Sequence, residues 1–179
     1  MKHVHLSTTH TLRGLLAAVL LLAASATAAE TSDWNQWRGP NRDAVCKETG
    51  LLKEWPAGGP KLLWDMKGMG TGYSSVAIAG GKLFTMGDLA EGGPKAQYVI
   101  AFDLAGQKRL WTAKVGPPHG DGSRCTPTVD GNLIYAIGTE GDLVCVEAAT
   151  GKEVWRKSFP KDFGGSMMTG WKYSESPLV

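Results

Sequence analysis

A Lys-x-x-Trp tetrapeptide recurs three times in this chain of 179 residues: Lys61-Leu62-Leu63-Trp64, Lys108-Arg109-Leu110-Trp111 and Lys152-Glu153-Val154-Trp155. The tryptophans are 47 and 44 residues apart. A second marker keeps nearly the same period. Ser75-Val76-Ala77-Ile78 is followed 51 residues later by Thr126-Pro127-Thr128-Val129, and 50 residues after that by Ser176-Pro177-Leu178-Val179. Two unrelated markers on one period mean one structural unit copied along the chain. A period in the forties, carried by short alternating strands, predicts an all-β fold: a β-propeller of four-stranded antiparallel blades.

The strand signals fit two complete blades. In residues 73–115, the stretches 73–79, 82–87, 98–103 and 108–115 read as strands, separated by Gly80-Gly81, by the Gly92-Gly93-Pro94 loop and by the turn at Gly106. In residues 123–159, the stretches 124–129, 133–138, 143–147 and 152–159 repeat the pattern, with Asp130-Gly131, Gly141-Asp142 and Thr150-Gly151 as turns. Residues 61–67 read as a leading outer strand, and a third blade begins at 173 with a trailing inner strand. No amphipathic helix is predicted after the leader. Two blades do not close a ring, so the expectation is the N-terminal part of a longer propeller. Residues 30–60, dense in Gly and Pro and carrying Trp34, Trp37 and Trp55, are expected to form an irregular strap on the outside of it.

Residues 1–29 have the pattern of a secretory signal peptide. Lys2 and Arg13 precede an apolar run from Leu15 to Ala24, and Ala26-Thr27-Ala28 offers a cleavage site. The run is too short to span a membrane, and no cysteine near the site offers a lipid anchor. Removing this leader takes the 19 basic residues to 17, equal to the 17 acidic ones. No basic field then remains to attract nucleic acid. The expected location is secreted, periplasmic or extracellular, with no membrane anchor after cleavage. Three cysteines, Cys46, Cys125 and Cys145, cannot all pair within one chain. Cys125 and Cys145 fall on strands of one repeat and read as small apolar fillers, with a disulfide as the alternative.

The eleven residues from Ala101 to Trp111 have a physical logic. Ala101 leaves room for a bulky ring, Asp103 can accept from the turn amides that follow, and Gly106 permits positive φ at the turn. Trp111 brings about 200 Å² of largely apolar surface to bury against the next blade. The second copy, Cys145 to Trp155, puts a small residue, the acid Glu147, the turn Thr150-Gly151 and Trp155 at the same offsets. Trp64, Trp111 and Trp155 are therefore the expected docking residues, with Ala101, Asp103, Gly106 and Gly151 as their supports.

This pattern resembles the tryptophan-docking motif of the pyrroloquinoline quinone (PQQ) dehydrogenase propellers and the wider family of PQQ-like repeat proteins, which includes the outer-membrane assembly propeller of Gram-negative bacteria. Trp34-x-x-Trp37-Arg38-Gly39-Pro40 is similar to the start of secreted bacterial members. The resemblance implies that each repeat tryptophan packs between adjacent blades. Gly106-Gln107 departs from the usual Thr-Gly, and Cys145 and Glu147 replace Ala and Asp.

Loops 68–72, 116–123 and 163–172 precede the inner strands and are expected to face the central channel. Alignment of the inner-strand markers puts Tyr73, Arg124 and Ser174 in equivalent positions, and Ser74, Cys125 and Glu175 in the next. Tyr73, Arg124 and Glu175 are the channel-mouth candidates for a polar ligand. An ion pair between blades, or solvated loop charges, is the other reading. Enzymes that resemble this fold use a vicinal cysteine pair, Ca²⁺ and a catalytic aspartate. No Cys-Cys pair occurs here, and His119 is the one histidine after the leader. No catalytic residue and no metal ligand is assigned, and no cofactor is established. The expectation is a non-catalytic scaffold or binding module whose loops or sheet edges take a protein or peptide partner. The alternative is a PQQ-dependent oxidoreductase of alcohols or sugars, with Ca²⁺, whose active site lies in blades beyond residue 179.

Overall fold

A computed structural model describes residues 33–167 and 170–179. The expected leader lies outside these residues. Among the described residues, eight strands form two four-stranded antiparallel sheets. The first contains β1 (Ala77–Ala79), β2 (Lys82–Leu89), β3 (Ala96–Asp103) and β4 (Lys108–Gly116), in that spatial order. The second contains β5 (Thr128–Asp130), β6 (Leu133–Ile137), β7 (Asp142–Glu147) and β8 (Glu153–Ser158), again in chain order. These are two propeller blades.

Side chains alternate across a strand, so each blade can bury both faces. On β3, Val99 and Ala101 join the core between the two sheets, with Phe84 and Val115 from the first blade and Ile134, Val144 and Val146 from the second. Tyr98, Ile100 and Phe102 point the other way, into a second cluster with Leu83. This is why β3 is buried almost end to end. The two sheets also share an irregularity. The β3–β4 register shifts between Ala101 and Phe102, and the β7–β8 register shifts between Cys145 and Val146, the same place 44 residues on.

Four expectations are corrected. Residues 61–67 form no strand, because no strand lies beside them to complete a ladder; Met66 and Met69 instead pack against the second cluster on the far face of the first blade. Residues 173–179 also lack strand pairing, although they run beside the second blade, with the Tyr173 amide donating to Thr139 O at 3.1 Å. A short helix, α1 (Phe159–Phe163), follows β8. Its signals were Pro160 at the start, Ser158 as N-cap and Gly164 as a left-handed C-cap. The strap begins at the inner strands and not on the outside. Trp34 exchanges two 2.8 Å backbone hydrogen bonds with Ile78 beside β1, and the Val129 amide on β5 donates to Asn35 O at 2.8 Å. Ile78 and Val129 are 51 residues apart, so the strap bridges equivalent points of both inner strands. A free inner-strand edge presents unpaired backbone groups, and the strap satisfies them.

Candidate functional site

The inner-strand markers are joined by a hydrogen-bond relay. The Ser75 amide donates to Thr126 Oγ1 at 3.1 Å, and the Thr126 amide donates to Ser176 Oγ at 3.0 Å. Each copy thus binds the hydroxyl of the next, across 51 and then 50 residues. The preceding position repeats as well. The Met86 amide donates to Ser74 Oγ at 3.1 Å, and the Ile137 amide to Cys125 Sγ at 3.4 Å. The Cys125 thiol therefore stands where the first blade has a hydroxyl, and all three cysteines are free thiols. Burial pushes the Cys125 thiol up to about 12, against an opposing pull from the Ile137 amide. It is a structural acceptor, not a nucleophile.

The loop leading to β5 is pinned by a residue the sequence did not single out. Asp88, buried on β2, accepts the Ser123 hydroxyl at 2.7 Å and the His119 amide at 2.9 Å. Gly122 and Gly72 let loops 68–72 and 116–123 touch backbone to backbone. A Cβ on Gly72 would lie 2.5 Å from Ser123 O, and one on Gly122 would collide with Thr71 O. Ser123, His119 and Asp88 do not form a hydrolytic triad. The carboxylate binds the serine directly, and the imidazole Nδ1 accepts from the Asp121 amide at 3.3 Å instead of reaching the hydroxyl.

These loops open on a cleft of about 380 Å³ lined by Trp37, Arg42, Tyr73, Arg124 and Glu175, with Ser75, Thr126, Ser174 and Ser176. Tyr73, Arg124 and Glu175 are thus brought into one place. Arg124 is its centre. The guanidinium lies 4.8 Å from the Trp171 ring centroid and 5.6 Å from that of Tyr73, distances at which cation–π attraction operates. Its ion pair is with Asp121, Nη2 to Oδ2 at 3.1 Å, and not with Glu175. Glu175 Oε2 accepts the Ser174 amide at 2.9 Å. Arg42 is committed to the scaffold: it donates to Gln36 Oε1 and to the carbonyls of Ser176 and Pro177, all at 3.0–3.2 Å. Sequence reasoning missed Trp37, Arg42, Trp171 and Asp121, because no repeat offset relates them.

A calcium–quinone centre does not fit these residues. Ca²⁺ takes six to eight oxygen ligands, and the cleft offers one carboxylate, Glu175, already engaged by a backbone amide. Among the described residues, no three His, Cys, Asp or Glu side chains group as a metal site would require.

The predicted docking residues separate. Trp111, opposite Ala101 on β3, packs in the core between the blades with its indole over Gly151. Trp155, opposite Cys145, remains 39% exposed. Trp64 sits on no strand and is half-buried, since the strand expected to present it is not formed. Asp103 Oδ2 accepts the Gly106 amide at 3.0 Å. Gly106 itself does not take positive φ. That conformation falls on Gln107, at φ 51°, the position equivalent to Gly151, at φ 72°.

Residues 95–177 match the family model described as "Outer membrane protein assembly factor BamB". The chain is 32% identical over 64 residues to the outer membrane protein assembly factor BamB of Pseudomonas aeruginosa, covering 35% of this chain and 17% of that protein. It is 40% identical over 53 residues to the same factor of Marinobacter adhaerens, covering 29% of this chain and 14% of that one. The match therefore spans about a sixth of the relatives' length. In fold it is similar to the quinohemoprotein alcohol dehydrogenase of Comamonas testosteroni, with a TM-score of 0.52 at 19% identity over 76% of this chain and 21% of the other. At that identity the likeness is one of fold alone.

Proposed function

We propose that this PQQ-like repeat propeller is a non-catalytic scaffold or binding module of the cell envelope, working outside the cytoplasmic membrane and holding a protein or peptide partner by its loops and sheet edges. The observation that carries this reading is the cleft. Its polar groups either brace the scaffold, as Arg42 does, or present a stacked cation and hydroxyls, as Arg124, Thr126 and Ser176 do. That is equipment for recognition, not for bond making. The outer edge supplies a second surface, since β8 is exposed along most of its length, with Val154 and Trp155 in the open, and an extended peptide can add to such an edge. The similarity to outer membrane protein assembly factors supports the envelope setting.

The test is site-specific photocrosslinking in cells, with the crosslinker placed at Tyr73 in the cleft mouth and at Val154 on the edge. A discrete adduct with an envelope protein from either position is expected. Dye-coupled oxidation of an alcohol or sugar after loading with PQQ and Ca²⁺ would overturn the reading in favour of the oxidoreductase, and so would the absence of adducts at both positions.

A further inference from the structure

We infer that Arg124 is a carboxylate receptor: a carboxylate of the bound peptide displaces Asp121 and occupies the Nε–Nη2 edge of the guanidinium between Trp171 and Tyr73. This inference rests on the peptide-binding reading above and names the group that the cleft recognises.

Four observations carry it. The Arg124 side chain is 10% exposed, yet it lines the open cleft. Its Nε is buried and has no hydrogen-bond partner. Its Nη2 is held by a single oxygen of Asp121 at 3.1 Å. Asp121 itself is 53% exposed and three residues away on a Gly-flanked loop. Arginine offers Nε–H and Nη2–H as one planar fork matched to the two oxygens of a carboxylate. Here that fork is half filled. An unpaired buried donor is costly, and a ligand carboxylate that supplies both oxygens removes the cost while Asp121 returns to water.

The surroundings suit such a ligand. The Arg124 side chain is already buried beside two rings, so little side-chain freedom is lost when the fork is filled. Thr126 Oγ1 and Ser176 Oγ each accept a backbone amide and keep their own protons to donate. Glu175 lines the same cleft, so the site does not collect anions by bulk positive charge. Selectivity comes from the geometry of the fork.

The full chain is titrated with three acetylated tripeptides while tryptophan fluorescence and heat are recorded. One ends in a free carboxylate, one has a glutamate side chain and an amidated end, and one has neither. Binding of either acid peptide with none of the neutral one is expected, and the preferred acid tells a C-terminal from a side-chain carboxylate. Arg124→Gln should weaken binding by roughly tenfold or more, and Arg124→Lys, which keeps the charge and loses the fork, by several-fold. Asp121→Asn should tighten it by about threefold, since it removes the competitor. A merely structural ion pair gives the opposite sign. Asp121 is exposed, so this variant keeps the fold, and near-UV circular dichroism checks it. Equal binding of acid and neutral peptides, or weakening by Asp121→Asn, would overturn the assignment. If no acid peptide binds while crosslinks still form at Tyr73, the carboxylate assignment falls alone. If both fail, the binding-module reading falls with it.

Discussion

Trp111 and Trp155 hold the same place in their own blades and have different neighbours beyond them. Each stands opposite a small residue, Ala101 or Cys145, beside the same register shift. Each leans on an aromatic ring of the second strand. Phe84 lies 5.9 Å from Trp111 at 38°, and Tyr135, 51 residues later, lies 6.0 Å from Trp155 at 50°. The difference is on the other face. Trp111 covers the β7–β8 turn, where a Cβ on Gly151 would come within 2.5 Å of its ring. Trp155 meets no such turn among the described residues and stays partly exposed. The blade positions the indole, and the glycine of a neighbouring turn buries it.

That contrast is broken most directly by truncation. Trp111→Ala should cost about 3–5 kcal/mol in urea unfolding, the range for a large aromatic removed from a packed site. Trp155→Ala should cost less than half as much, because its outer face is already in water. Equal losses would show that the intra-blade contacts alone matter. The converse variant fills the seat. Gly151→Ala adds a methyl group against the indole at φ 72° and should cost about 2–3 kcal/mol from overpacking and the left-handed backbone. A neutral result would mean that the Trp111 ring swings aside freely.

The blades are also joined by a buried polar bridge. Gln97, fully buried on β3, donates from Nε2 to Thr139 Oγ1 at 3.0 Å and accepts the Thr139 amide at 2.9 Å. Gln97→Ala leaves that amide unpaired in the interior and should cost about 2 kcal/mol, again read by urea unfolding. Replacing both partners, as Gln97→Leu with Thr139→Val, still strands the amide and should not restore stability.

The latch at the start of the inner strand differs between blades by one atom type, Ser74 Oγ against Cys125 Sγ. The raised thiol pKa means the folded state favours the protonated form. That contribution is complete below about 9, the ordinary value, and is lost as pH climbs toward about 12. Cys125→Ser should therefore leave stability at pH 7 nearly unchanged and flatten its decline in the alkaline range. Cys145, also raised by burial, keeps part of that decline. In native protein a thiol reagent at pH 8 should modify exposed Cys46 and spare both buried cysteines.

Much of the fold was legible because a copied unit leaves two independent marks, and the offsets of 51 and 44 residues reappear as hydrogen bonds and aromatic pairs. The co-location of Tyr73, Arg124 and Glu175 followed from the same arithmetic. What occurs once was not legible. The strap pairs with β1 and β5 mainly through its backbone, which any sequence could do; the one side chain that joins in, Asn35, donating from Nδ2 to Val129 O at 3.0 Å, has its partner 94 residues away, so nothing in Trp34-Asn35 signalled an inner edge. Asp88, just past the stretch 82–87 that read as a strand, gave no signal because its partners, Ser123 and His119, lie 35 and 31 residues away. Residues 61–67 carried the motif without a strand to pair with, and a motif records ancestry where a ladder needs a neighbour.

The smallest effect tests the same seat from the first blade. Gln107 occupies the position of Gly151, with φ 51°, so a residue with a Cβ is held in the left-handed region. Gln107 is exposed, whereas Gly151 lies against an indole. Gln107→Gly should relieve the backbone at the cost of a more flexible unfolded chain. The two nearly cancel, leaving a gain of about 0.5 kcal/mol, measured as a small rise in the urea midpoint. In the other blade, Gly151→Gln should lose more than Gly151→Ala, because a longer side chain meets the Trp111 ring. Should the two glutamines prove equally tolerated, the turn glycine would be a matter of backbone conformation alone. A harmless glutamine at 107 and a damaging one at 151 would place the requirement in the indole it has to receive.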